Sequence, residues 1–264
     1  MSEPSMLDAA MLQSNLDSIL IGEKLLVFQE TASTNDLAKT YFQEGAVQGL
    51  ILIADRQTDG KGRFGRSWHS ESEVGIYTSI LLVPDLPVET LSGLPLLAGV
   101  AVVTAVNEFS HPNASLKWPN DILLNGKKLG GVLCETVRNP QGQTGVVVGI
   151  GINVNHNSFP EELRSIATSI HLEMGHPIDR QALILSLLHH LDREYQDFLI
   201  KGIAGITAKW SQHTKMFGSS ITLIKGKTRI HGTALQLDEK GNLVIRTPEG
   251  NTMAFDSGEV TMES

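Results

Sequence analysis

Between two β-like apolar runs, LILIAD (Leu50–Asp55) and IYTSILLV (Ile76–Val83), lies a stretch rich in glycine and cations, and no helical pattern separates it from the second run. That context limits the fold. Gly60–Gly65 spells GxGxxG, but a dinucleotide-binding loop needs a helix directly behind it so that the pyrophosphate meets the helix N-terminus. Polar SWHSESEVG follows instead. A protein kinase would also need HRD and DFG triplets, and neither occurs. What remains is a strand-to-strand loop in which Arg56, Lys61, Arg63 and Arg66 alternate with Gly60, Gly62 and Gly65, in a chain of formal net charge -8. Glycine permits positive φ and close approach of a ligand, and guanidinium groups fork onto carboxylate or phosphate oxygens. The composition suits a loop closing over a small anion; a solvated basic surface loop is the plain alternative.

A chain of 264 residues, 41% apolar and 19% charged, can hold one substantial core and a small second domain. The N-terminal twenty residues are acidic and lack a signal peptide's basic and apolar regions. The apolar run Leu96–Val106 is too short to span a bilayer, so no membrane partner is expected. Cys134 is the single cysteine, which fits a reducing, cytoplasmic compartment; its apolar surroundings read as core rather than as a catalytic thiol. An acidic chain without a basic face argues against nucleic-acid binding.

Along the chain, Ser33, Thr34, Asn35 and Asp36 can cap a helix that ends at Gly45, and the same hydroxyl and amide groups can bind a polar ring. Ser92–Phe109 reads as a core helix. Asn125-Gly126 predicts a tight turn pairing Ile122–Leu124 with Lys128–Thr136, which places Lys117 at the end of a short strand just before the hairpin. Gly145–Asn155 is a glycine-interrupted strand ending in polar Asn153 and Asn155, and Asp179 caps a long amphipathic helix. His189 and His190, adjacent on that helix, point to different sides and make no metal pair. From Phe217 onward, short alternating runs separated by Gly turns predict a small antiparallel barrel, dividing the chain into residues 1–216 and 217–264.

STN (Ser33–Asn35), Gln57, GKGRFGRSW (Gly60–Trp68), KWPND (Lys117–Asp121), KLGG (Lys128–Gly131) and GIGIN (Gly149–Asn153) occur in an order and spacing that resemble the biotin protein ligases, across about residues 25 to 264. The resemblance implies an α+β fold: a class II synthetase-like catalytic domain with a mixed sheet and helices, followed by a C-terminal SH3-like β-barrel. It implies an enzyme that uses ATP, with Mg²⁺, to convert biotin to biotinyl-AMP and passes biotin to a lysine of a biotin carboxyl carrier protein domain. Lys117 and Arg63 are then the catalytic candidates. Ser33, Thr34, Asn35, Gln57, Lys61, Gly62, Arg63 and Lys117 are expected at biotin. Arg63, Arg66, Trp68, Lys117, Asn120 and Asn153 are expected at the nucleotide, and metal ligands are not identifiable. Two departures stand out. Lys61 replaces an arginine common in the family, keeping charge but losing the bidentate fork. Only about 25 residues precede the catalytic region, so a form without a DNA-binding domain is expected. A homodimer stays open. Lipoate ligases and octanoyltransferases share this fold and are the nearest rival reading, and a non-catalytic binding module is the other.

Overall fold

The runs LILIAD and IYTSILLV are apolar at nearly every position because the sheet they join is buried on both faces. The computed structural model describes residues 7–111 and 113–262; residues 1–6 of the expected first domain and 263–264 of the second lie outside them. A short helix α1 (Ala9–Asn15), capped by the Asp8 carboxylate, precedes β1 (Lys24–Thr31). Ser33 caps α2 (Thr34–Gln43) as expected, its hydroxyl accepting from Asp36 N–H. Next come β2 (Leu50–Gln57), β3 (Gly75–Leu82), α3 (Leu94–Val106), β4 (Ser115–Lys117), β5 (Asp121–Leu124), β6 (Lys127–Arg138) and β7 (Thr144–Asn153). Among the described residues these seven strands form one mixed sheet in the order β1-β2-β3-β7-β6-β5-β4, in which only β1 and β2 run parallel. Since β2 and β3 are antiparallel neighbours, the glycine loop connects adjacent strands at one end of the sheet.

Alternation along β2 divides the interior. Leu50 and Leu52 face α2 residues Ala38 and Phe42, while Ile51 and Ile53 join the larger core built on α3 and the later helices. After α4 (Ile170–Met174), the long helix α5 (Arg180–Gln212) is capped by Asp179 and broken at Gly202, whose φ of 64° and ψ of -160° are not helical. The expected Ser92–Phe109 helix is shorter: a 3₁₀ turn over Val88–Gly93 leads into Leu94, and the helix stops at Val106. Asn125 (φ 50°) and Gly126 (φ 78°) make the tight turn between β5 and β6.

The second sheet, β8 (Ser220–Lys225), β9 (Thr228–Leu237), β10 (Leu243–Arg246), β11 (Thr252–Phe255) and β12 (Glu259–Met262), is wholly antiparallel in the order β11-β10-β9-β8-β12. Its buried Ile221, Leu223, Leu243 and Ile245 belong to the same apolar cluster as α3 and α5. Trp118 ties the two sheets together: its backbone N–H meets Met216 Sδ and its indole N–H donates to Gly241 O at 3.2 Å. The Trp118–Pro119 peptide is cis. The barrel therefore packs over the β4 end of the first sheet, beside Lys117.

One buried ion pair holds the base of the glycine loop. Arg180 Nη1 lies 2.7 Å from Asp55 Oδ1 and donates to Gly75 O, while the other Asp55 oxygen accepts from Ser72 Oγ and Glu73 N–H. Removing one partner leaves a charge buried without compensation. Arg180→Met is expected to lower stability by about 3–5 kcal/mol, read as a fall in the urea midpoint at unchanged slope.

Candidate active site

The first turn of α2, the end of β2, the glycine loop, the ends of β4 and β5, the middle of β6 and β7, and the start of β12 converge on a cavity of about 300 Å³. One side is a network of neutral hydrogen bonds. Thr34 donates to Gln57 Oε1 through its backbone N–H (2.8 Å) and its hydroxyl (3.1 Å). Ser79 Oγ reaches both Thr34 Oγ1 (2.7 Å) and Asn35 Oδ1 (2.6 Å), and can give its one proton to only one of them at a time. Asn35 Nδ2 donates to Glu135 Oε2 at 2.7 Å. A carboxylate only accepts, so Glu135 fixes which end of the Asn35 amide faces Ser79. Gly149 on β7 has no room for a Cβ because the Asn35 amide lies against it.

The glycine loop carries three cations, each with a partner. Lys61 pairs with Asp36, which also binds Lys39, and Lys39 reaches Glu135 Oε1 at 2.7 Å. Burial opposes the charge on Asp36, but hydrogen bonds from Lys61 and Lys39 outweigh it and hold the carboxyl below its ordinary range. Arg63 donates to Asn120 Oδ1 (3.1 Å) and to Gly258 O of the barrel (3.3 Å), and burial lowers its pKa from the usual guanidinium value. Arg66 pairs with Glu259. The three glycines serve different ends: Gly65 alone among them has positive φ (72°), whereas a Cβ on Gly60 would lie 2.6 Å from Trp68 O. Phe64 shares the left-handed conformation at φ 59°.

At the opposite wall, Lys117 Nζ lies 2.8 Å from Asp121 Oδ2 and Lys128 Nζ lies 2.6 Å from Asp121 Oδ1. Trp68 lies over β6 and β7 at the cross-strand partners Gly131 and Gly151; a Cβ on Gly151 would come within 2.6 Å of the indole. Its Nε1–H finds no acceptor among the described residues, so the ring brings an unspent donor to the cavity wall. Asn120 donates to Val132 O while accepting from Arg63.

The structure thus gathers Ser33, Thr34, Asn35, Gln57, Lys61, Gly62, Arg63, Arg66, Trp68, Lys117 and Asn120 around one space. Asn153 is the exception. It is buried and donates its amide to Thr168 O at 3.0 Å, away from the cavity wall. Cys134 packs against the core, and burial pushes its thiol pKa up, consistent with a residue that takes no part in chemistry.

Residues 27–155 match the Biotin/lipoate A/B protein ligase family, and residues 216–262 match the Biotin protein ligase C terminal domain. The biotin–[acetyl-CoA-carboxylase] ligase of Mycobacterium tuberculosis is 33% identical over 244 residues, covering 90% of this chain and 88% of that protein. The bifunctional ligase/repressor BirA of Bacillus subtilis is 35% identical over 250 residues, covering 94% of this chain and 77% of that protein. The biotin protein ligase of Aquifex aeolicus, solved in complex with biotin and ATP, superimposes with a TM-score of 0.80 at 34% identity, covering 91% of this chain and 99% of that one. The chain belongs to the biotin protein ligase family.

Several groups that shape this ligase's cavity are not apparent from sequence motifs. Asp121 and Lys128 stand inside KWPND and KLGG, yet neither motif discloses that they meet. Ser79 left a signal: with Thr78 it is one of two adjacent polar residues in a strand buried on both faces. Asp36, Lys39 and Glu135 form a chain of ion pairs, and Gly258–Thr261 reach the cavity from the other sheet. The close fit of Asn35 on Gly149 gives a test of the neutral side of the ligase's site. Gly149→Ala forces the amide aside at an overpacking cost of about 1–3 kcal/mol, so biotin affinity should fall roughly tenfold to a hundredfold. Calorimetric titration with biotin should show that loss, while the KM for ATP stays near the wild-type value.

Proposed function

We propose that the two unlike walls of one cavity carry out the two steps of protein biotinylation. The neutral network of Thr34, Asn35, Gln57 and Ser79, with Ser33 beside it on the cavity wall, suits a polar, uncharged ring such as biotin's ureido group, which needs donors and acceptors together. The cations Lys117, Lys128 and Arg63 suit a carboxylate meeting a phosphate. That polarity is the observation that carries the reading. In the first step a biotin carboxylate oxygen attacks the α-phosphorus of ATP, the bond to the bridging oxygen breaks, and pyrophosphate leaves with the electron pair. Lys117 stabilises the charge that gathers between carboxylate and α-phosphate. In the second step the neutral amine of a carrier lysine attacks the anhydride carbonyl, AMP leaves, and the amine's proton passes to solvent. Positioning supplies most of that rate.

Mg²⁺ enters as part of the nucleotide substrate, neutralising its phosphates. Asp121 and Glu259 on the cavity wall are each bonded to cations, and among the described residues no three His, Cys, Asp or Glu side chains cluster to hold an ion. The carrier we propose is the biotin carboxyl carrier domain of a carboxylase, docking at the glycine loop. Net charge -8 and a single cysteine support a cytoplasmic enzyme that does not bind nucleic acid. The rival acids, lipoate and octanoate, lack a polar ring for the Thr34–Asn35–Gln57 network. The test is to incubate the enzyme with ATP, biotin and a carboxyl carrier domain: one biotinyl group on one lysine is expected by mass spectrometry, and an unmodified carrier would overturn the assignment.

A further inference from the structure

Lys117 ends a strand of only three residues, β4, at the edge of the first sheet. On the inner side β5 holds it, with Lys117 and Asp121 as direct cross-strand partners. Along an edge strand the backbone groups of every second residue point outward, away from the sheet, and need other partners. Those on either side of Lys117 are met by one short segment, the linker of residues 213–216 between α5 and the barrel. Leu116 N–H donates to His213 O (2.8 Å), Leu116 O accepts from Thr214 Oγ1 (2.8 Å), and Trp118 N–H meets Met216 Sδ (3.1 Å). Thr214 Oγ1 also accepts from Met216 N–H (3.2 Å), so a single hydroxyl joins the turn of the linker to β4. A thioether is a weak acceptor, which leaves Thr214 as the principal side-chain tie.

The linker is itself held at both ends. On an unbroken helix Lys209 would stand about 18 Å from Asp197 and about 22 Å from Glu194. Because α5 breaks at Gly202, its last part folds back, and Lys209 Nζ reaches Asp197 at 2.7 Å and Glu194 at 2.8 Å. Folding back buries Trp210 beside β4: a Cβ on Gly99 of α3 would lie 3.1 Å from the Leu116 side chain and 3.9 Å from the Trp210 indole. Beyond the linker, the Phe217 ring lies 6.0 Å from that of Trp210. A segment fixed in this way and bonded to both neighbours of Lys117 sets where the backbone of that lysine stands, while Asp121 holds its ammonium group.

We propose that Thr214, which lies outside the cavity lining, is a positioning residue for adenylate formation: through the Leu116 carbonyl it fixes the backbone that presents Lys117 to the substrates. The inference rests on the ligase reading and on the place of Lys117 in it. Thr214→Val keeps the shape and removes the hydroxyl. Since misplacing a reacting group by about 1 Å can cost on the order of a hundredfold, single-turnover adenylate formation at saturating biotin and MgATP should fall on the order of tenfold or more. Thr214→Ser should stay near the wild-type rate. Transfer from pre-made biotinyl-adenylate to the carrier, and biotin affinity by calorimetry, should also stay near wild type. Because Thr214 acts through Lys117, adding Thr214→Val to Lys117→Ala should give no further loss. A residue that serves stability alone would lower the urea midpoint and leave the rate of the folded enzyme unchanged. Wild-type adenylate formation in folded Thr214→Val would therefore overturn the inference, as would a loss shared equally by both steps or one that multiplies with that of Lys117→Ala. If Thr214→Val does not fold, Met216→Leu, an exchange of similar volume that takes the acceptor from Trp118 N–H, should slow adenylate formation on the order of threefold, and an unchanged rate there would overturn the inference. Slow Lys117→Ala beside wild-type Thr214→Val overturns this inference alone, whereas Lys117→Ala at the wild-type rate overturns the reading of Lys117 and this inference with it.

Discussion

Lys117→Ala should lower the rate of biotinyl-adenylate formation a hundredfold or more while leaving the fold intact. The size follows from removing one preorganised group that stabilises charge as it develops, which typically costs about 10²–10³ in rate. The fold should survive because Asp121 keeps its second partner: Lys128 remains 2.6 Å from the other carboxylate oxygen, so no buried charge is left alone. The defect should lie in the first step. Pre-made biotinyl-adenylate supplied to the variant should be passed to the carrier with a much smaller loss, since the anhydride already exists. Single-turnover measurement of adenylate formation and separate measurement of transfer distinguish the two. Near wild-type adenylate formation in Lys117→Ala would remove the central catalytic assignment.

Arg63→Gly should impair retention of the adenylate more than its synthesis. Arg63 links three parts of the enzyme at once: the glycine loop that carries it, Asn120 behind Lys117, and the Gly258 carbonyl of the barrel. Without it the loop keeps Lys61 on Asp36 and Arg66 on Glu259 but loses its central attachment over the cavity. Lys117 still supports synthesis. The adenylate then escapes to water and acylates exposed lysines without selection. The expected result is ATP- and biotin-dependent labelling of a bystander such as albumin, together with less efficient labelling of the carrier. Loss of synthesis with no bystander labelling would place Arg63 in the first chemical step instead.

The parts of this enzyme legible in its sequence are those whose physical cause is local. Ser33 caps α2 because the residues that follow are helical, Asn125-Gly126 supplies the two positive φ angles of the β5–β6 turn, and the glycine turns separate the strands of the second sheet. Lys117 is legible because a short strand and a tight hairpin fix its place. What stays hidden depends on register and on contacts across long stretches of chain. The Asp121–Lys128 contact depends on one bulged residue, Leu129, and the Arg66–Glu259 pair joins the glycine loop to the second sheet. Asn153 shows the limit of alternation. It shares a parity with Gly149 and Gly151 on β7, but the backbone that crosses at Thr168 takes its amide. The loop glycines are not alike: conformational freedom is needed at Gly65, while Gly60 answers to the nearby Trp68 carbonyl.

The most direct test of the account is ATP–pyrophosphate exchange measured side by side with biotin, lipoate and octanoate. Exchange reports the acyl-adenylate step alone, without a carrier, and it asks both walls of the cavity at once: the cations must support the anhydride, and the Thr34–Asn35–Gln57 network must choose the acid. The account predicts rapid exchange with biotin and little with either rival. Exchange that is equal for all three acids, or faster with lipoate or octanoate, would contradict it.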